Sequence, residues 1–489
     1  MSYDIDLEKI GRNIFPFYLT ILFIAPIPFG SNRPWAWAIL AIISCLLLFI
    51  YLWNYARQNI RPPELTSDIK ITFVLLFFWL LYQVFQLVPL PIEILQTLSP
   101  RTFHIKQAAF GIEEVTHIPL SFDISTGLHS IYKTVLYISI FVLTICLVQS
   151  RDRLRSLILT IVFMGVAQAV LGMSTVFIEE NVLAVSESKN ILNVVTGTFI
   201  NRNHFGGFMN LSIAAALALL LASGLKEKRK IHREKLTHHW QSRVLDWRVY
   251  LIPYLGFMVV ALIFSESRGA MFSCVMMLLI MFFCFLYMKI GIDDIYNSFK
   301  FPIWLLGFAI VLSGAEILSE RFTMLDEDMV IRMAHWKNSI LIIKDFTFFG
   351  VGSGSFQHIY PLYDTGVDKH RLLHAHNDYL ELLVEQGIVG FSFLALIVII
   401  SIKNAFQAVK KFSNLHQSAF AIASLIAICG FLIHSTMDFN FQIPSNAIYF
   451  FVFLAIALLQ GMESIHVESR DTVWDEEAFT GSMRAVINK

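Results

Sequence analysis

Long apolar runs separated by short polar segments make up most of the chain. Twelve stretches approach or exceed the roughly 20 mostly apolar residues that a membrane helix needs. They are 14–30, 34–53, 71–88, 131–149, 156–178, 204–224, 249–265, 269–289, 301–319, 378–400, 417–436 and 445–461. The pattern predicts an all-α polytopic membrane protein of about 12 transmembrane helices. Only "SESR" parts the seventh run from the eighth, so these two predict a tight helical hairpin. The first run starts at Ile14, after three acids, Lys9 and Arg12, and no small-residue cleavage site precedes Arg33. It reads as a retained span and not as a removed leader. No internal repeat or separate soluble domain interrupts the series. Residues 1–461 are therefore expected to form a single integral membrane domain, followed by a polar tail over 462–489.

Basic residues in the polar segments predict the orientation. With the N-terminus placed in the cytoplasm, the inner segments hold "RDRLR" (151–155), "KEKRKIHREK" (226–235), "KNAFQAVKK" (403–411), Arg57, Arg61 and Lys70. The outer segments are poorer in lysine and arginine for their length, and 89–129 carries only Arg101 and Lys106. This bias predicts that both termini, and with them the tail, are cytoplasmic. Two outer loops are long, 89–130 and 320–377, and the second lies between spans 9 and 10.

Composition agrees with this reading. The 489 residues are 56% hydrophobic and only 15% charged, against about 25% charged in soluble domains. The natural solvent for such a surface is lipid. Formal net charge is zero, and no nucleic-acid partner is expected. Cys45, Cys146, Cys274, Cys284 and Cys429 all sit inside apolar runs without metal-ligand spacing, as small buried residues do.

Ionisable groups at membrane depth are costly and usually functional. Here they gather at the expected outer ends of helices. "GTFINRNHFGGF" (197–208) puts Arg202 and His204 at the mouth of span 6 beside Asn201 and Asn203, either of which could cap the helix. Helix amides plus an arginine suit an anion, although a snorkelling arginine with a cap would read the same. "FSESRGAMF" (264–272) holds Arg268 and Glu266 in the hairpin turn; the bland alternative is an interfacial salt bridge between them. Two arginines on one face could neutralise a diphosphate.

The densest cluster is "HRLLHAHNDYLELLVEQGIVGF", 370–391. With a helix starting near Asn377, Asp378, Glu381 and Glu385 fall within about 60° of one another. His374 would join them if the helix began earlier. His376 lies on the other side of the projection, beside the positive helix end, which favours a neutral imidazole able to accept a proton. Glu385, about two turns in, requires a partner, and the outer-face arginines are candidates. Within 321–361, Arg321, Arg332, His335 and Trp336 fall at helical spacings, ahead of "GVGSGS". That run lacks a P-loop lysine and reads as a loop that brings backbone close to other groups.

These segments resemble the O-antigen ligase and polymerase superfamily. "HNDYLELLVEQGIVG" is similar to its signature of His, then Asn, Ser or Gln, nine residues, and Gly-x-x-Gly: here His376, Asn377, Gly387 and Gly390. The resemblance covers the span count and most of residues 195–400. After Gly390 the chain reads "FSF", where many ligases have Thr-Trp, which leaves the acceptor open. The resemblance implies a GT-C-like bacterial inner-membrane glycosyltransferase, acting in cell-surface polysaccharide or lipopolysaccharide biosynthesis. Its donor would be a glycan on undecaprenyl diphosphate, used at the periplasmic side. It implies no cofactor and no metal requirement and, for ligases, inversion at the sugar carbon. Carried over by position, Arg202 and Arg268 would hold the donor diphosphate and His376 would activate the acceptor hydroxyl. Arg332, His374, Asn377, Asp378 and Glu381 are supporting candidates by proximity.

The acceptor could be lipid A core, another lipid-linked glycan or a protein. A lipid-linked glycan transporter or flippase is the alternative of another class. It would require charges at the bilayer midplane and broken helices, whereas the charges here cluster at one face.

Overall fold

The computed structural model describes residues 2–57, 65–110, 116–177, 194–222, 248–290, 325–366, 372–412 and 415–462. In chain order the helices are α1 (Ser2–Ile24), α2 (Pro34–Arg57), α3 (Ser67–Leu87), α4 (Ile92–Leu98), α5 (Pro100–Phe110), α6 (Ile124–Leu147), α7 (Arg151–Phe177) and α8 (Arg202–Ala222). They continue with α9 (Arg248–Phe264), α10 (Arg268–Tyr287), α11 (Leu325–Asp345), α12 (Phe356–Ile359), α13 (Asp378–Lys411), α14 (Leu415–His434) and α15 (Pro444–Leu459). Among the described residues the only sheet pairs β1 (Leu90–Pro91) with β2 (His117–Ile118), antiparallel.

Eight helices are long and apolar enough to cross a membrane: α2, α3, α6, α7, α8, α10, α13 and α14. Shorter apolar helices occupy Gly11–Ile24, Tyr250–Phe264 and Pro444–Leu459. Together they account for every expected span except 301–319. That span, the 226–235 basic segment, Arg61, Arg321, His370 and residues 463–489 lie outside the described residues. The chain is an all-α polytopic membrane protein. α9 and α10 form the expected hairpin, with three residues between Phe264 and Arg268.

Two helices form the centre. α15 is buried along its whole length, and 94% of the apolar window of α8 is buried. A helix apolar all round belongs inside a bundle. α14 packs on α8, α10 and α15; α13 packs on α3, α14 and α15; α6 joins α2, α3 and α15. α2, α3 and α10 turn large apolar side chains such as Ile42, Phe77 and Phe283 outward, as lipid contact requires.

One face gathers the polar elements. There α3 ends, α6, α8, α10 and α13 begin, and α4, α5, α11 and α12 fill the long connections. Side chains cap several of these starts. Asp123 accepts from the amides of Ser125 and Thr126 at α6, Ser267 from Ala270 at α10, and Asn377 from Tyr379 and Leu380 at α13. Each satisfies amides that the first helical turn leaves unpaired.

α13 departs from the expected unbroken span. At Gly387 the backbone takes φ 60°, ψ −170°, a region open in practice to glycine alone. Residues 378–386 thus form a separate short segment ahead of the long membrane helix. The break exposes amides, and the 347–352 loop supplies partners: Ile388 and Val389 donate to the carbonyls of Thr347 and Phe348, at 2.9 and 3.2 Å. In return the loop amides of Val351 and Gly352 donate to the carbonyls of Val384 and Glu385, both at 2.9 Å. Gln86 of α3 ties the two together by donating to the carbonyls of Phe349 (2.8 Å) and Glu385 (3.0 Å). The expected close approach of the glycine-rich run is therefore to α13 itself. A Cβ at Gly387 would collide with the Phe348 carbonyl, and one at Gly350 with that of Glu385. Gly387→Ala is expected to destabilise the protein by about 3 kcal/mol or more. Thermal unfolding in detergent measures this, and an unchanged midpoint would show that the seam tolerates a Cβ.

Candidate active site

The site forms where the starts of α8, α10 and α13 meet the turn between α14 and α15. That turn, "HSTMDFNF" (434–441), carries the centre. Asp438 is only 1% exposed, and its Oδ1 lies 3.6 Å from His376 Nδ1 and 3.8 Å from His204 Nε2. Burial by itself would raise this carboxyl. The neighbouring imidazoles of His376, His204 and His434 outweigh burial and hold it below the usual carboxylate range. Phe439 is the plate between the rings. It stacks on His374 with centroids 4.3 Å apart and meets His376 and His204 edge-on at 4.9 and 4.6 Å.

His376 is not part of α13. It precedes the Asn377 cap with φ 49°, a left-handed conformation that a non-glycine residue adopts only when its surroundings impose it. Those surroundings are explicit. The Ala375 amide donates to Glu381 at 2.8 Å, and Trp336 Nε1 donates to the Ala375 carbonyl at 3.2 Å. Asn377 Nδ2 reaches the Thr436 carbonyl at 3.1 Å, and the Asp378 amide reaches that of Ser435 at 2.9 Å. The ring is 30% exposed with Nδ1 buried against Asp438, so the exposure falls on its other edge.

Arg202 and Arg268 are the first residues of α8 and α10, both half-buried. Close packing at small residues brings these helix starts together. A Cβ on Gly206 would press on Ala270, and one on Gly269 would stand 3.2 Å from the buried His434 ring. Glu266, the expected salt-bridge partner of Arg268 in the bland reading, lies 3.4 Å from Arg202. Arg332 of α11 donates to the Met437 carbonyl at 2.7 Å and acts electrostatically on His434. The Arg332 guanidinium and the positive starts of α8, α10 and α13, the first two headed by Arg202 and Arg268, thus meet at the 434–441 turn. Among the described residues no group of three or more His, Cys, Asp or Glu has metal-ligand spacing.

The acids of α13 divide by role. Asp378 accepts from Ser435 Oγ (2.7 Å) and the Phe441 amide (3.1 Å), which fastens α13 to the 434–441 turn. Asn377 is a cap. Glu385 does not pair with an arginine as expected; it accepts from the Phe356 amide at 3.3 Å, and the Gly354 amide adds a second bond. The glycine-rich loop reaches it first. Glu381 accepts from His374 Nδ1 at 2.8 Å. Burial by itself would lower the His374 imidazole, but the charge and hydrogen bond of Glu381 outweigh it and raise it above the usual histidine value.

A group raised on folding stabilises fully below its unfolded value, near 6.5, and loses that contribution as pH rises through the folded value. Thermal stability is therefore expected to decline as pH is raised past about 6.5, with a slope that Glu381→Gln removes. Equal slopes in the two proteins would rule out a contribution from this pair.

Asp438, His434 and Phe439 did not emerge from the sequence reading. A signal existed: an aspartate and a histidine in a short turn between two strongly apolar runs, where ionisable groups are expensive.

Residues 253–395 match the model of a family described as O-antigen ligase. The matched region takes in Arg268, Arg332, His374, His376 and the whole α13 break; Arg202 and Asp438 lie outside it. A comparison with curated proteins returned no match.

Proposed function

We propose, from the match of residues 253–395 to a family described as O-antigen ligase, that this chain is a glycosyltransferase that moves glycan from undecaprenyl diphosphate to an acceptor hydroxyl at the periplasmic face. The observation that carries the reading is the His376–Asp438 centre, beside which α8 and α10 begin with Arg202 and Arg268: His204 of α8 lies 3.8 Å from Asp438, and Gly269 of α10 lies against His434.

The chemistry follows from charge. As the glycosidic bond breaks, the electron pair goes to the diphosphate, and negative charge grows there. Arg202 and Arg268, fixed at helix starts, stabilise that charge in place of a bound cation. A preorganised donor of this kind is worth about 10²–10³ in rate. His376 accepts the acceptor proton at its exposed edge as the new bond forms. Asp438 holds the Nδ1 edge, which sets the tautomer and stabilises the imidazolium once it has formed. The 3.6 Å separation tightens as charge develops. Both termini are cytoplasmic in this reading, and the acceptor is lipid A core, a growing glycan or a protein.

The test is transfer by purified protein from undecaprenyl diphosphate–glycan in detergent with EDTA present. Wild type is expected to transfer glycan, and Arg268→Ala, checked for folding, to fall by about a hundredfold or more. Full activity in the variant would remove Arg268 from the donor site. A flippase would instead move the donor across liposomes without forming product.

A further inference from the structure

A second polar wall stands beside this centre, and the mechanism above does not use it. Ser130, Lys133, Thr134 and Tyr137 fall at positions i, i+3, i+4 and i+7 of α6, so they share one face of the helix. That face points into the bundle: the Tyr137 ring packs on Phe441 and Phe451, and Thr134 meets Gln83 of α3. The half-buried Lys133 lies within electrostatic reach of Glu385, Glu381 and His374. The Tyr137 ring packs on Phe441, whose amide donates to Asp378. Ser130 lies against Gly354 of the glycine-rich loop. From α3, Gln83 accepts from Thr134 Oγ1 at 3.0 Å.

Two buried polar atoms of this wall have no hydrogen-bond partner among the described residues: Gln83 Nε2, on a residue 1% exposed, and the Tyr137 hydroxyl, 3% exposed. Buried polar groups are nearly always satisfied, so such exceptions point to something that comes to meet them. The wall offers amide, ammonium and hydroxyl donors next to carboxylate acceptors. Its cations, Lys133 and His374, face two acids, Glu381 and Glu385. That balance suits neutral hydroxyls better than an ionised group.

Placement supplies the direction. The arginines stand on α8, α10 and α11, and α8 and α10 pack on α14; the wall stands on α3 and α6, and α13 lies between α3 and α14. In a direct, inverting displacement the hydroxyl approaches the sugar carbon from the side away from the departing diphosphate. We propose that the wall formed by Gln83, Lys133, Tyr137 and Glu385 is the subsite for the neutral sugar ring of the acceptor. This rests on the transferase reading, and it makes these residues determinants of acceptor choice.

The experiment uses full-length protein in detergent with undecaprenyl diphosphate–glycan. Lipid extracted from cells that lack the gene serves as the acceptor probe. Lys133→Met and Gln83→Leu are compared with wild type, and each is checked for folding by its melting midpoint. The expected result is a KM for the extract raised about tenfold, a donor KM within about twofold of wild type, and recovery in Lys133→Arg. The second position decides the matter if the first does not fold. Folded variants with unchanged acceptor saturation would overturn the subsite and leave the transferase standing. Wild type that transfers to nothing would overturn both.

Discussion

His376→Ala is expected to lower single-turnover transfer by about 10²–10⁴-fold, the range of a lost general base, with little change in donor KM. The size follows from what the ring does. It is held in a left-handed backbone at φ 49°, and its segment is fastened by bonds to Glu381, Trp336, Thr436 and Ser435. Structure pinned so fully brings one imidazole edge to one place. Alanine keeps the backbone and removes only the proton acceptor, so binding by the arginines survives. His376→Asn, which tolerates the left-handed region more readily, should fold at least as well and be equally slow. Transfer at the wild-type rate by either variant would exclude proton transfer by this residue.

Asp438→Asn is expected to reduce kcat by about a hundredfold or more, again with KM little changed; the analogous change in a serine protease triad costs about 10⁴. The substitution is isosteric and leaves Phe439 in place, but it removes the one negative charge facing three imidazoles. As a positioning residue, Asp438 acts through His376. The double variant with His376→Ala should therefore be no slower than His376→Ala alone. Stability provides a second readout. A carboxyl lowered on folding stabilises above its unfolded value and loses that contribution as pH falls through the folded one. The stability gap between wild type and Asp438→Asn should thus hold at neutral pH and close only in strong acid. Additive rate losses in the double variant would show that the two residues act independently.

Much of this architecture is legible in the sequence because lipid is an exacting solvent. Run length and charge place eleven of the helices, and Asn377 announces the start of α13 by its capping chemistry. Arg202 and Arg268 are conspicuous because charges at apolar mouths are costly. Three features depend on packing and were not legible. Asp438 looks like an ordinary turn residue until His204 and His376, from distant parts of the chain, converge on it. Glu385 suggested an arginine partner, yet backbone amides of the glycine-rich loop supply its bonds. Gly387 reads as a tolerated glycine in a helix; only the loop crossing at Phe348 makes it a break. The interior places of α8 and α15 likewise depend on their neighbours, since every span here is apolar.

The seam between α3 and the broken start of α13 also bears on the order of assembly. Trp79 Nε1 donates to Gln386 Oε1 at 2.8 Å across 307 positions of chain, and Gln86 bonds partners 263 to 299 positions downstream. During synthesis α3 must therefore enter the bilayer long before those partners exist. Its Trp79 and Gln86 have to wait in or near lipid, where unpaired polar groups are costly. Insertion of α3 is thus provisional, and this seam closes only after residues 349–386 have been translated. A nascent chain stopped before residue 347 would leave this polar edge of α3 without its partners.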